Sequence, residues 1–319
     1  MSPAPNIDGV LIQWGDRLFY PGNRIVKVAA QPNLGGPSTR QRAAEIRRRI
    51  EATVVRRAPQ VMVKVTGGGR GMRAIAAHFR YISKNGRLVI EDEHGQTMTG
   101  KEALPVLADE WRFGGTFIDD VSDRREAFNV MLSMPRGVDP LTVQRAAREF
   151  AQLELKDHKF VMVLHDHQAN PHVHISVRAE SKRGWRLNPR KADLQRWRET
   201  FAERLRGWGV DAEATRQAIR GGSHNWDPIW RIKAREEGRL RRSVGRPGAM
   251  RSPPAAADQA WRRLAEALAA SPDAADRELA RSVVGFVNAW SQPTKVAEVD
   301  ARAEPYKPRC GGVVIERRR

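Results

Sequence analysis

The chain is poor in the residues on which several common designs depend. A single one of its 319 residues is cysteine, Cys310, so neither an intramolecular disulfide nor a cysteine-built zinc module can form. Tyrosine is nearly as scarce, with Tyr20, Tyr81 and Tyr306 the full set. No apolar run approaches the roughly 20 residues that span a bilayer. The opening Met-Ser-Pro-Ala-Pro-Asn-Ile-Asp lacks the basic-then-apolar order of a signal peptide, and the expectation is a cytoplasmic protein with no membrane insertion. Negative charge is short as well: 37 acidic residues face 56 lysines and arginines, a formal net charge of +19. That excess points to a polyanionic partner, nucleic acid first.

Histidine is rare but concentrated. Of eight in the chain, His165, His167, His172 and His174 fall within ten residues. They lie in the stretch from Phe160 to Arg178, which reads as an apolar run, a polar turn at Asn170-Pro171 and a strictly alternating run. Because successive side chains of a strand point to opposite faces, His172, His174 and Ser176 share one face and Val173, Ile175 and Val177 the other. Pairing the two runs as a β-hairpin carries His165, at the exit of the first, toward His172 and His174. Three neutral imidazoles converging on one point can hold a metal ion, and a three-histidine site leaves positions open for water or substrate. His167 reads as a neighbouring group or a turn residue.

The remaining elements surround this hairpin. A strand is expected from Gln60 to Val65, then a glycine-rich connection, Gly67-Gly-Gly-Arg-Gly71, which lacks the Gly-Lys-Ser/Thr of a nucleotide-binding loop. Ile75, Phe79 and Ile82 recur at helical spacing between Met72 and Lys84, and Asn85-Gly86 ends that helix. A short hairpin is expected within 88–100, a helix over Leu104–Trp111, a strand over Glu126–Met134, a helix over Thr142–Leu155 and another over Lys191–Trp208, with Trp197 in the core. The order predicts an α+β domain, an antiparallel sheet with helices packed on one face.

Outside it, residues 1–58 read as a loosely attached basic extension, with one strand near Val10–Phe19 and a basic helical patch over Thr39–Arg57. Residues 59–222 form the domain, 223–256 a basic linker, and 257–319 a small helical appendage with a basic tail. Basicity and a three-histidine site together suggest chemistry on a phosphodiester, with either water or a protein hydroxyl as nucleophile. Tyr81, on the helix after the glycine run, is the tyrosine best placed for the second role. Packing is the ordinary role of a tyrosine on such a helix.

The pairing of His78-Phe-Arg-Tyr81-Ile-Ser-Lys-Asn-Gly with His165-x6-His172-Val-His174 resembles the MobA/VirD-type mobilisation relaxases of the HUH endonuclease superfamily. Val61 to Gly69, Phe128 to Pro135 and Ala214 to Gly221 extend the resemblance over about 60–222. It implies an HUH relaxase-like fold and an enzyme that nicks single-stranded DNA at a transfer origin. Tyr81 would form a 5′-phosphotyrosine adduct, and His165, His172 and His174 would hold one divalent ion, Mg2+ or Mn2+. Relatives often carry an acid two positions after the first ligand histidine; His167 stands there in this chain, and the acid is Asp166. Either one is the candidate general base or supporting group. Arg80, Lys84, Arg178, Arg186 and Arg190 are the candidate DNA contacts, and accessory relaxosome proteins and a type IV secretion coupling protein are implied as partners. Two other readings remain open: an HUH replication initiator or transposase-like nuclease, and a non-catalytic basic DNA-binding protein with a degenerate metal site.

Overall fold

The computed structural model describes residues 6–20, 37–167, 170–221, 223–224, 250–251 and 255–291. The expected Gly245–Gly248 and Ser252–Pro254 linker segments, Tyr306, Cys310 and the basic tail lie outside these. The centre is an antiparallel sheet of six strands: β1 (Met62–Gly67), β2 (Ile90–Asp92), β3 (Thr97–Met98), β4 (Ala127–Ser133), β5 (His158–His165) and β6 (His172–Ser181). Its order is β1-β4-β6-β5-β2-β3, so the hairpin β5–β6 sits in the middle.

Helices α3 (Met72–Ile82), α4 (Ala103–Phe113), α5 (Pro140–Glu154) and α6 (Lys191–Gly207) cover the sheet. The antiparallel α+β class expected above is what forms, but the helices occupy both faces, not one. α5 and α6 pack Val143, Phe150, Trp197 and Phe201 against Val130, Leu132, Val173, Ile175 and Val177. On the opposite face α3 and α4 pack Ile75, Phe79, Leu107 and Trp111 against Ala127, Val161 and Val163. The reason is written in β5, where Phe160 and Met162 serve one core and Val161 and Val163 the other. A strand apolar on both faces needs cover on both.

The ends of the chain depart furthest from expectation. Val10–Phe19 is not a strand; it belongs to helix α1 (Ile7–Phe19), which starts where the Asn6 Oδ1 accepts the Gly9 N–H at 3.1 Å. α2 (Pro37–Val54), α7 (Ala255–Ala269) and α8 (Ala274–Ser291) complete a second helical unit. Leu11, Leu18 and Phe19 of α1, Ile46 and Ile50 of α2, Trp261 and Leu264 of α7, and Val283 and Val287 of α8 share one buried core. The N-terminal extension and the C-terminal appendage are thus halves of the same packed layer.

Candidate active site

Strand register brings the histidines together. His165 is opposite His172, and Val163 is opposite His174, so the three imidazoles stand side by side on the sheet face beneath α3. All three are buried, their ring centroids are 4.6 to 5.0 Å apart, and one nitrogen from each lies within 4.8 Å of the other two.

Hydrogen bonding orients two of the rings. The His165 Nε2–H donates to the Ile82 carbonyl at 2.7 Å and the His172 Nδ1–H to the Asn170 carbonyl at 2.9 Å. Each therefore turns its other nitrogen, with a lone pair, toward the cluster. His174 Nδ1 is buried with no hydrogen-bond partner, an orphaned polar atom of the kind a ligand satisfies. Burial, reinforced by His165, His172 and His78, lowers His174 to about 3. Burial also lowers His165, partly opposed by its hydrogen bond to Ile82. Neutral imidazole is the ligating form, so the donor set fits a divalent ion. Imidazole donors alone favour transition metals over Mg2+.

Tyr81 hangs over this cluster. It sits in the last turn of α3, whose Met72, Ile75, Phe79 and Ile82 face the core. The Tyr81 ring therefore projects outward, 71% exposed, with its centroid 6.4 Å from that of His174. The bond from His165 to the carbonyl of Ile82 ties the helix to the cluster one residue past the tyrosine. His78, a turn earlier, was not among the expected site residues. Its ring lies 6.2 Å from Tyr81 and 6.5 Å from His174, its Nε2 is buried without a partner, and burial lowers it to about 4. Its position three residues before Tyr81 was the available signal.

The other candidates separate by place. Asp166 and His167 follow β5 and are exposed. The His167 ring is 5.3 Å from that of His165, and neither side chain hydrogen-bonds the three imidazoles; the partners of His165 and His172 are backbone carbonyls. Arg80 and Lys84 are exposed beside Tyr81. Arg178 is not available to a phosphate: it is buried, and its guanidinium donates to the carbonyls of Trp111 (2.8 Å) and Thr116. Arg186 is paired with Glu126 and Glu180 at 3.2 Å each. Arg190 is exposed at the start of α6, its N–H held by Asp193. Arg178 on β6, and Arg186 bridged to Glu180 of the same strand, lie past the histidines along β6.

The site is thus an antiparallel sheet carrying three convergent imidazoles under a tyrosine-bearing helix. Residues 105–210 match the family described as relaxase, MobA/VirD2-like, nuclease domain, and the match supports a MobA/VirD-type relaxase. The matched stretch holds all three histidines and begins after Tyr81. No curated protein matches the chain.

Proposed function

We propose that this chain nicks single-stranded DNA at a transfer origin by transesterification onto Tyr81, in the service of conjugative mobilisation. The observation that carries this reading is the juxtaposition of an exposed tyrosine with three buried imidazoles, its ring centroid 6.4 Å from that of His174. The charge of +19 agrees with a polyanionic substrate.

In the proposed step the Tyr81 oxygen attacks phosphorus and loses its proton. The bond from phosphorus to the 3′ oxygen breaks, and that oxygen leaves as a hydroxyl on taking up a proton. The 5′ phosphate stays on the tyrosine. No water is consumed, so the reverse step reseals the strand. His165, His172 and His174 would hold Mg2+ or Mn2+, which when bound polarises the phosphoryl oxygen and offsets developing charge. His165 also holds the end of α3 through Ile82, which limits the positions open to the tyrosine. Asp166 or His167 would take the phenol proton through solvent. Arg80 and Lys84, exposed near Tyr81 in sequence, would meet the strand. Accessory relaxosome proteins and a secretion coupling protein would be the partners in transfer.

The test is a labelled single-stranded transfer-origin oligonucleotide incubated with protein and Mn2+. A denaturation-resistant protein–DNA adduct is expected. It should vanish in Tyr81→Phe and in His172→Ala, while His172→Ala keeps most of the salt-sensitive DNA binding. Retention of DNA with no adduct in the wild type overturns the enzymatic reading and leaves a DNA-binding protein. An adduct that survives Tyr81→Phe moves the nucleophile elsewhere.

A further inference from the structure

The sheet face that carries the imidazoles is roofed over only part of its width. α3 and α4 lie over β5 and the adjoining part of β6, where Val161 and Val163 enter their core and Ser176 and Arg178 are buried. Toward the β1 edge that roof stops. Register pairs His174 with Met131 of β4 and Met131 with Lys64 of β1. Directly paired residues share a face, so Lys64 stands on the imidazole face two strand steps from His174, roughly 10 Å away. By the same register Met62 pairs with Ser133 and Ser133 with His172. Met62 and Lys64 are exposed, Met62 by 44%, while Val63 between them is buried against the opposite core. Alternation on an edge strand has left one side in the core and the other open.

What the open strip offers is specific. Lys64 has no carboxylate partner among the described residues, and neither β1 nor β4 contains an acidic residue. Asn129, on the same face of β4, accepts the Ser176 hydroxyl on Oδ1 at 3.4 Å, which leaves its Nδ2 as a donor without an acceptor among the described residues. Met62 and Met131 add flat, polarisable surface. The strip is continuous with the histidine cluster at Met131 and Ser133, and Tyr81 stands at that end.

We infer that Met62, Lys64, Asn129 and Met131 form the track on which the unpaired DNA strand lies as it reaches Tyr81. A phosphate sits on the Lys64 ammonium, a second polar group of the strand takes the Asn129 amide, and the methionines carry base faces. This rests on the nicking function proposed above. A single strand is the occupant because the strip is cationic, free of carboxylates and joined to the site where a strand must be cut. Lysine on an edge strand has another common use, blocking edge-to-edge pairing of sheets. That use predicts self-association when Lys64 is removed, with DNA affinity unchanged.

The test is equilibrium binding of a fluorescent oligothymidylate across a salt series, with the intact chain, Lys64→Ala and Met62→Lys, each checked for monodispersity. Both positions are exposed, so neither variant removes a core contact. Lys64→Ala is expected to reduce the log–log salt slope by about 0.7, the value for one contact to single-stranded nucleic acid, and Met62→Lys to increase it by about as much. Unchanged slopes in both, or self-association of Lys64→Ala with an unchanged slope, overturn the track. Adduct formation at the transfer-origin oligonucleotide is scored beside it. An adduct with unchanged slopes discards the track and keeps the nicking function; changed slopes without an adduct keep the strip as a strand-binding surface and discard the nicking.

Discussion

The position of Tyr81 depends on the three residues by which the chain leaves α3. Lys84, Asn85 and Gly86 follow one another in the left-handed region, at φ 49, 62 and 83°, and turn the chain away just past the tyrosine. Glycine is required only at the last of these, because a Cβ at Gly86 would stand 2.3 Å from the Gly100 carbonyl oxygen. Gly86→Ala is expected to cost about 1–3 kcal/mol in denaturant unfolding and to slow adduct formation as the end of α3 shifts. An unchanged midpoint would show that the turn relaxes freely. The convergence of the three histidines was legible in the sequence because two of them share strand parity and the third ends the paired strand. Arg178 has the same parity as His172 and His174, and nothing local says that the carbonyls of Trp111 and Thr116 close over it. That follows from where α4 and its loop come to rest.

Among the elements, the strands and helices of the sheet domain were readable from period and punctuation. α1 was not. Its Val10-Leu11-Ile12 run carries the β-branched character of a strand, while Leu11, Ile12, Gly15, Leu18 and Phe19 also make a helical stripe. The competition is settled by the surface the stripe meets, α2 and α7. Gly15 marks how closely α1 and α2 approach, since a Cβ there would lie 2.5 Å from Ile46 Cγ2. Gly15→Ala should push the two helices apart and cost about 1–3 kcal/mol by overpacking. The expected readout is a helical transition that moves to lower denaturant while DNA binding persists. Coincidence with the wild-type curve would mean that Ile46 repacks without strain.

Across the whole molecule, the basic patch of α2 turns out to act largely as a set of rivets. Arg47 reaches Asp8 and Asp276, both at 2.8 Å, joining α1, α2 and α8. The buried Arg49 faces Glu213 and Glu199 at 3.4 Å, and Arg56 meets Asp211 at 2.8 Å. The Arg49 and Arg56 pairs connect the helical unit to the sheet domain, so much of the basic patch expected over Thr39–Arg57 is engaged within the chain. The ion pairs also make the assembly acid-sensitive. Burial alone raises the Asp276 carboxyl, but hydrogen bonds from Arg47 and Ser271 and the charge of Arg47 outweigh it and hold the group below its usual range. A carboxyl lowered on folding contributes stability that is present above its unfolded value, about 3.9, and is lost as pH falls through its folded value. Thermal unfolding followed between pH 5 and pH 2 should therefore show a decline that is smaller in Asp276→Asn, which starts less stable. Parallel curves for the two proteins would remove this carboxyl as the cause.

The sequence by itself determined the strands, the helices of the sheet domain and the meeting of three imidazoles, because these depend on side-chain alternation, helical period and the pairing of one short hairpin. Only the tertiary structure decided that helices cover both sheet faces, that the chain's two ends share a core, that Arg178 is sealed inside and that Lys64 is left open beside the cluster. Those outcomes depend on which distant surfaces come to rest against each other, and no local pattern of residues carries that information.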